Sequence, residues 1–221
     1  MAGGAARLAF VAMTVPSDTR LLVLHGLRLK GFAPSGDVAE VVSVSVVEVD
    51  RHLDELSGDE LVSYREGRLT GWALTASGRA EHERLLAQEL DATGGRDAVL
   101  DAYRGFLALN PELLRVCTAW QMKDEATLNQ HDDPSYDSAV VAQLGDLHEQ
   151  VLPVLDVLEC QLARFRSYRP RFGHAVDRVR AGEHDWFAKP MIDSYHTVWF
   201  QLHEDLLNTL GIERSKEAAN S

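Results

Sequence analysis

Apolar residues recur every three or four positions along most of this chain, and only residues 61–74 follow a different rhythm. Leu21, Leu24 and Leu27 form one stripe with Arg28 at its edge. Ser17 can cap the segment and Gly31 can stop it, so the spacing predicts a helix running to about Lys30. Residues 35–42 predict a second helix. Ala39, Ser43 and Val49 fall where a helix-turn-helix needs a small residue, a turn residue and a buried aliphatic, with Val38, Val42 and Val44 at the other apolar positions. Ser45 and Glu48 form a capping box, which starts a third helix at Val46 and turns Val46, Val49, Leu53 and Leu56 inward. Its outer face is then Val47, Glu48, Asp50, Arg51, Asp54 and Glu55.

Residues 61–65 and 68–74 have strand composition, and Glu66-Gly67 between them predicts a two-residue hairpin turn with Arg65 and Arg68 at its tip. Thr75 to Arg79 opens a further helix that runs to about Leu90. Beyond it the period stays helical, over 96–109, 111–123, 135–165, 170–181 and 190–210. Asn110-Pro111 reads as a cap followed by proline at the first helical position, Gly182 and Gly211 read as stops, and Pro153 as a kink. Val140, Leu144, Leu147, Val151, Leu155 and Leu158 suit a bundle core. The predicted fold is mainly α, an N-terminal winged helix-turn-helix with a two-stranded wing followed by a helical bundle.

The paired glycines in Asp91-Ala-Thr-Gly-Gly95 mark a hinge. The expected organisation is a leader over 1–15, a winged helix-turn-helix domain over 16–92, a bundle over 93–213 for ligand binding or dimerisation, and a polar tail over 214–221. Leu8 to Val15 is apolar but short and runs into Pro16-Ser17-Asp18 without a clear cleavage site, so it reads as a partly disordered leader or as part of a dimer seam. No stretch approaches the ~18 apolar residues of a membrane span. Cys117 and Cys160 are too few for a disulfide framework or a zinc site, and a reducing cytoplasm is the expected compartment.

Charge complicates the picture. The net charge of -12 divides into +1 before Pro16, -5 from Pro16 to Leu90 and -8 afterwards, so neither half carries a broad basic footprint.

Residues 35–79 resemble the winged helix-turn-helix of MarR and PadR transcriptional regulators, above all in Asp50-Arg-His-Leu-Asp-Glu-Leu56 and in Leu74-Thr-Ala-Ser-Gly-Arg79. The resemblance covers about a fifth of the chain. It implies a dimer that binds double-stranded DNA, with Ser45, Val47, Glu48 and Arg51 in the major groove and Arg65 and Arg68 on phosphate or in the minor groove. The acidic outer face departs from that pattern and leaves open a surface for a protein partner. The run Trp186-Phe-Ala-Lys-Pro-Met-Ile-Asp-Ser-Tyr-His-Thr-Val-Trp-Phe-Gln-Leu-His-Glu-Asp-Leu206 is similar to a helical module of actinobacterial winged-helix proteins associated with pyruvate phosphate dikinase-like, phosphoenolpyruvate-using proteins, which implies a regulatory or accessory role.

On the last helix Asp193, His196, Phe200, His203 and Leu207 share one stripe. His196 and His203 are two turns, roughly 10 Å, apart, too far to meet one ion easily, and no metal-binding motif is present. No metal or cofactor is expected. Two readings remain for Trp120, Asn129, His131, Lys189, Tyr195, His196, Trp199 and His203: an aromatic-walled pocket for a small effector, or core and interface positions. In the first, Lys189 with Arg169 or Arg171 would hold a carboxylate or phosphate. No serine or cysteine has a recognisable nucleophile setting and no glycine-rich phosphate loop occurs, so the expectation is a protein without catalytic activity.

Overall fold

A computed structural model describes residues 16–214; the leader and most of the tail lie outside the described residues. Helix α1 (Thr19–Lys30) is capped by Asp18, whose side chain accepts from the Arg20 N–H at 2.7 Å, while the expected cap Ser17 donates to Glu89 instead. Helices α2 (Ser35–Val42) and α3 (Val46–Gly58) follow, with Ser43 at the turn in the left-handed region (φ 55°). Strands β1 (Val62–Arg65) and β2 (Gly71–Leu74) form the antiparallel wing, pairing Val62 with Leu74 and Arg65 with Gly71. The loop between them is therefore residues 66–70, not the two-residue turn expected, because Arg68 to Thr70 leave the ladder. Arg68 sits within that loop. Helix α4 (Ala76–Thr93) completes a mainly helical, winged helix-turn-helix unit.

Several boundaries differ from the sequence reading. Asp91 to Thr93 belong to α4, so the break narrows to Gly94, which takes φ 63°, and Gly95. Helix α5 (Arg96–Gln121) runs through Pro111 as one helix. An interior proline costs one backbone hydrogen bond, but Phe106, Leu113 and Val116 continue a single buried stripe across it, and tertiary burial on both sides carries the helix through. Asn110 does not cap; its Oδ1 accepts from Trp199 Nε1 at 2.7 Å. Helix α6 (Pro134–Gln161) likewise passes Pro153 and ends before a 3₁₀ turn over 163–167 and α7 (Tyr168–Arg180). A short helix α8 (Asp185–Ala188) was not anticipated, and the last helix, α9 (Tyr195–Leu210), starts five residues later than expected, at the Ser194 cap. None of the described helices is long and apolar enough to cross a membrane.

Two apolar clusters result. One is built by α1 to β2, including Val23, Leu24, Leu27, Val38, Val49, Leu53, Leu56 and Val62. The other fills the bundle from Leu90 to Leu207. Val46, expected inward, is instead 45% exposed, since the helix begins there and its first turn projects beyond the core. Helix α1 is buried on more than one face, which places it between its own unit and the bundle.

The Leu74 to Arg79 segment is tied to the backbone at Leu61. Thr75 caps α4 by accepting from Gly78 N–H at 3.0 Å, and its hydroxyl and N–H both reach the Leu61 carbonyl. A Cβ on Gly78 would overlap that same carbonyl oxygen. Because the obstacle is backbone, Gly78→Ala is expected to destabilise the fold by about 1–3 kcal/mol, read from urea midpoints, whereas Ala at exposed Gly58 is neutral or stabilising.

Candidate functional site

The six residues expected to face DNA are all exposed, and Ser45, Glu48 and Arg51 are bonded within their own helix. Ser45 accepts from Glu48 N–H at 3.3 Å and donates to Glu48 Oε2 at 2.7 Å. Arg51 donates to Glu55 Oε1 at 2.7 Å and lies 2.7 Å from His52 Nε2. Val47, 79% exposed, projects without cover. Glu48, Asp50, Asp54 and Glu55 are exposed as the periodicity required. Arg65 and Arg68 are exposed on the wing, and among the described residues neither forms an ion pair. Other cations of this unit point elsewhere: Arg20 pairs with Asp59 at 2.7 Å, Lys30 approaches Asp193 at 3.8 Å, Arg79 donates to the Leu74 carbonyl at 3.2 Å, and Arg28 donates to Asn208 Oδ1 at 3.1 Å.

The eight bundle residues do not share one pocket. Trp120, Asn129 and His131 come together where α5 ends. Asn129 donates to the Trp120 carbonyl at 3.1 Å and to Asp137 at 2.8 Å, and His131 Nδ1 lies 3.0 Å from Asp137 Oδ2. Phe187 stacks on Trp120 at 4.3 Å and His184 closes the group. The Asp137 carboxyl, raised by burial, is brought below its usual range by hydrogen bonds from Asn129 and His131. Lys189 lies apart, on the surface, paired with Asp185 at 2.6 Å. Tyr195 and Trp199 are core residues, and Trp199 packs on Phe106 at 4.6 Å. Three of the eight, His196, Trp199 and His203, line one shallow groove of about 290 Å³ with Leu114 and Phe200. The Arg169 and Arg171 guanidinium groups are engaged by Asp156 and Glu159 and by Asp193 and Gln201. Among the described residues no group of three or more His, Cys, Asp or Glu is arranged to hold a metal ion.

A polar network that the sequence reading did not single out lies where α1 and α4 meet α9. Arg164, buried in the 3₁₀ turn, donates to Asp205, to Glu89 at 2.8 Å and to Thr209. Asp205 also accepts from Tyr168 OH at 3.0 Å and contacts His25 Nε2 at 2.9 Å; His25 Nδ1 contacts His82 Nε2 at 3.1 Å. Burial raises the Asp205 carboxyl, but Arg164 and then His25 outweigh it and leave the group well below the usual range. With Asp205 ionised, His25 Nε2–H donates to it. His25 Nδ1 and His82 Nε2 share one proton between them across their contact, and His82 Nδ1 is left as a buried nitrogen without a hydrogen-bond partner. Burial, followed by the neighbouring His25, pushes His82 down to about 2. The one visible sequence signal is polar Asp205 among the apolar positions Val198, Leu202 and Leu206 of α9.

Comparison with protein-family models, curated proteins and solved structures matches this chain to none of them. The resemblance to MarR and PadR regulators is confined to residues 35–79, chiefly 50–56 and 74–79.

Two consequences are measurable. Arg164→Ala leaves Asp205 buried without its main counter-charge and is expected to cost about 3–5 kcal/mol in denaturant unfolding, more than Arg164→Met paired with Asp205→Leu. The unfolded chain protonates His82 near 6.5, whereas the folded chain holds it neutral down to about 2. Below pH 6.5 the unfolded state thus binds the extra proton, and stability falls with falling pH by up to about 1.4 kcal/mol per pH unit from this group. His82→Gln should flatten that slope in pH-dependent melts.

Proposed function

We propose that this chain is a DNA-binding transcriptional regulator, acting in the cytoplasm as a homodimer and answering to a small effector. One observation carries the reading. The winged-helix unit packs α1 and α4 against the bundle, while the outer face of α3 and the loop 66–70 stay uncovered on its other side, so the two elements that such a unit lays on DNA are the ones left free. Arg65 and Arg68 supply the phosphate contacts, and Arg51 becomes available once a base edge or phosphate competes for it with Glu55.

Acidic side chains on α3 make that binding weak unless the sequence rewards them. The sequence-independent part of DNA affinity comes from cations that release counterions, and this surface offers few. One carboxylate accepting from cytosine N4 can contribute to readout, which favours a narrow operator over general affinity.

A second reading, a module that binds a protein partner without catalysing a reaction, is favoured by two specific features. Arg51 is already satisfied by Glu55, and apolar Val47 and Leu69 are 79% and 73% exposed on the same elements as the acids. A basic partner surface with an apolar centre would complement them.

The discriminating measurement is binding to DNA upstream of the chain's own gene across a salt series. The regulator reading expects one fragment preferred over random DNA, with Arg65→Ala and Arg68→Ala each reducing the slope of log K against log salt by about 1. Asp54→Asn with Glu55→Gln should raise affinity for random DNA. Equal binding to all fragments at low salt, or none, overturns the regulator reading.

A further inference from the structure

A cleft of about 480 Å³ opens between the winged-helix unit and the C-terminal end of α9, within the range of small-molecule sites. Arg28 of α1, Glu83 of α4, Arg96 of α5, and Glu204 and Asn208 of α9 line it, with Arg214 beyond. These side chains differ in how far they are used. Arg214 and Glu204 neutralise each other as an ion pair. Arg28 spends only Nε on Asn208, leaving its terminal N–H groups without a hydrogen bond among the described residues. Arg96 makes two long contacts, 3.4 Å to the Leu210 carbonyl and 3.4 Å to Asp91. Glu83 is exposed and, among the described residues, has no ion-pair partner. Arg28 and Arg96, the latter paired loosely with Asp91, keep spare donors and share this space with the Glu83 carboxylate, which lacks an ion-pair partner among the described residues, and with Glu213 at its rim.

We propose that this cleft binds a free α-amino acid, its carboxylate held by Arg28 and Arg96 and its ammonium by Glu83. Guanidinium forks match a carboxylate in geometry and charge, and a carboxylate is the natural partner of an ammonium. A phosphate or dicarboxylate fits less well. The chain's net charge of -12 gives no long-range attraction for an anion, and Glu83 would face it directly, whereas a zwitterion is neutral overall and satisfies both signs. The carboxylate would join α1 of the winged-helix unit to α5 of the bundle. It would do so next to Asn208 and one residue from Thr209, which belongs to the buried Arg164 network. Binding here stands independently of what α3 contacts.

The test is calorimetric titration of the full chain with the proteinogenic amino acids singly, and with inorganic phosphate, on wild type and on Arg28→Ala, Arg96→Ala and Glu83→Gln. Melting curves establish that each variant folds. At least one amino acid is expected to bind, with each substitution weakening it tenfold or more and phosphate showing no heat. Conservative Arg28→Lys, which keeps the charge but loses the fork, should restore part of the affinity if Arg28→Ala proves poorly folded. Absence of binding by every amino acid overturns the proposal, as does binding that the substitutions leave unchanged. Phosphate binding that Glu83→Gln strengthens overturns it in favour of an anion site. Because the readout contains no DNA, failure here leaves the regulator reading standing, and the reverse also holds.

Discussion

The ion pair between Arg164 and Asp205 is the constraint around which the two halves of this molecule are arranged. Both side chains are almost wholly removed from water, with side-chain exposures of 2% and 1%. Such a pair is tolerated only when every remaining proton and lone pair finds a partner, because desolvation of each ion costs several kcal/mol. Here the partners come from separate segments: Glu89 of α4, Thr209 and Asp205 of α9, Tyr168 of α7 and His25 of α1. Hydrogen bonds are directional where apolar contact is not, so this set of bonds specifies how the winged-helix unit sits on the bundle. Apolar packing around α1 then supplies the bulk of the attraction without having to define the angle.

That arrangement also explains the charge of the exposed surface. The cations of α1 that would have supplemented a DNA face are drawn toward the bundle, Arg28 to Asn208 and Lys30 to Asp193, because α1 is the element sandwiched between the two units. What remains outward is the acidic face of α3 and the wing arginines. The same inward turn of Arg28 brings a guanidinium to the edge of a cleft where Arg96 and Glu83 already stand. A depleted outer surface and a furnished inner one are two results of a single packing choice.

Local chemistry was legible wherever it was decided locally. The Ser45-Glu48 box, the turn at Ser43, the inward Val49, Leu53 and Leu56, and the helix opened at Thr75 all follow from neighbours within a few residues. The extent of elements was less so. Pro111 looked like a helix start because proline suits the first turn, but the buried stripe from Phe106 to Val116 outweighs one missing hydrogen bond. Arg68 to Thr70 have strand composition, but the ladder ends at the Arg65–Gly71 pair, and Ala33 bridges to Trp72 within the paired segment.

Sequence alone determined the mainly helical class, the place of the wing after the third helix, and the acidic character of that helix, because each depends on spacing or composition within a short window. Tertiary structure alone decided which polar residues meet. Trp120, Asn129 and His131 gather because the chain turns back between α5 and α6, while Tyr195 and Trp199 are taken into the core by the bundle. His25, His82, Arg164 and Asp205 lie as far as 180 residues apart, and only the fold brings them within hydrogen-bond distance. No local pattern encodes that meeting, because the energy of a buried charge depends on neighbours that arrive from elsewhere in the chain.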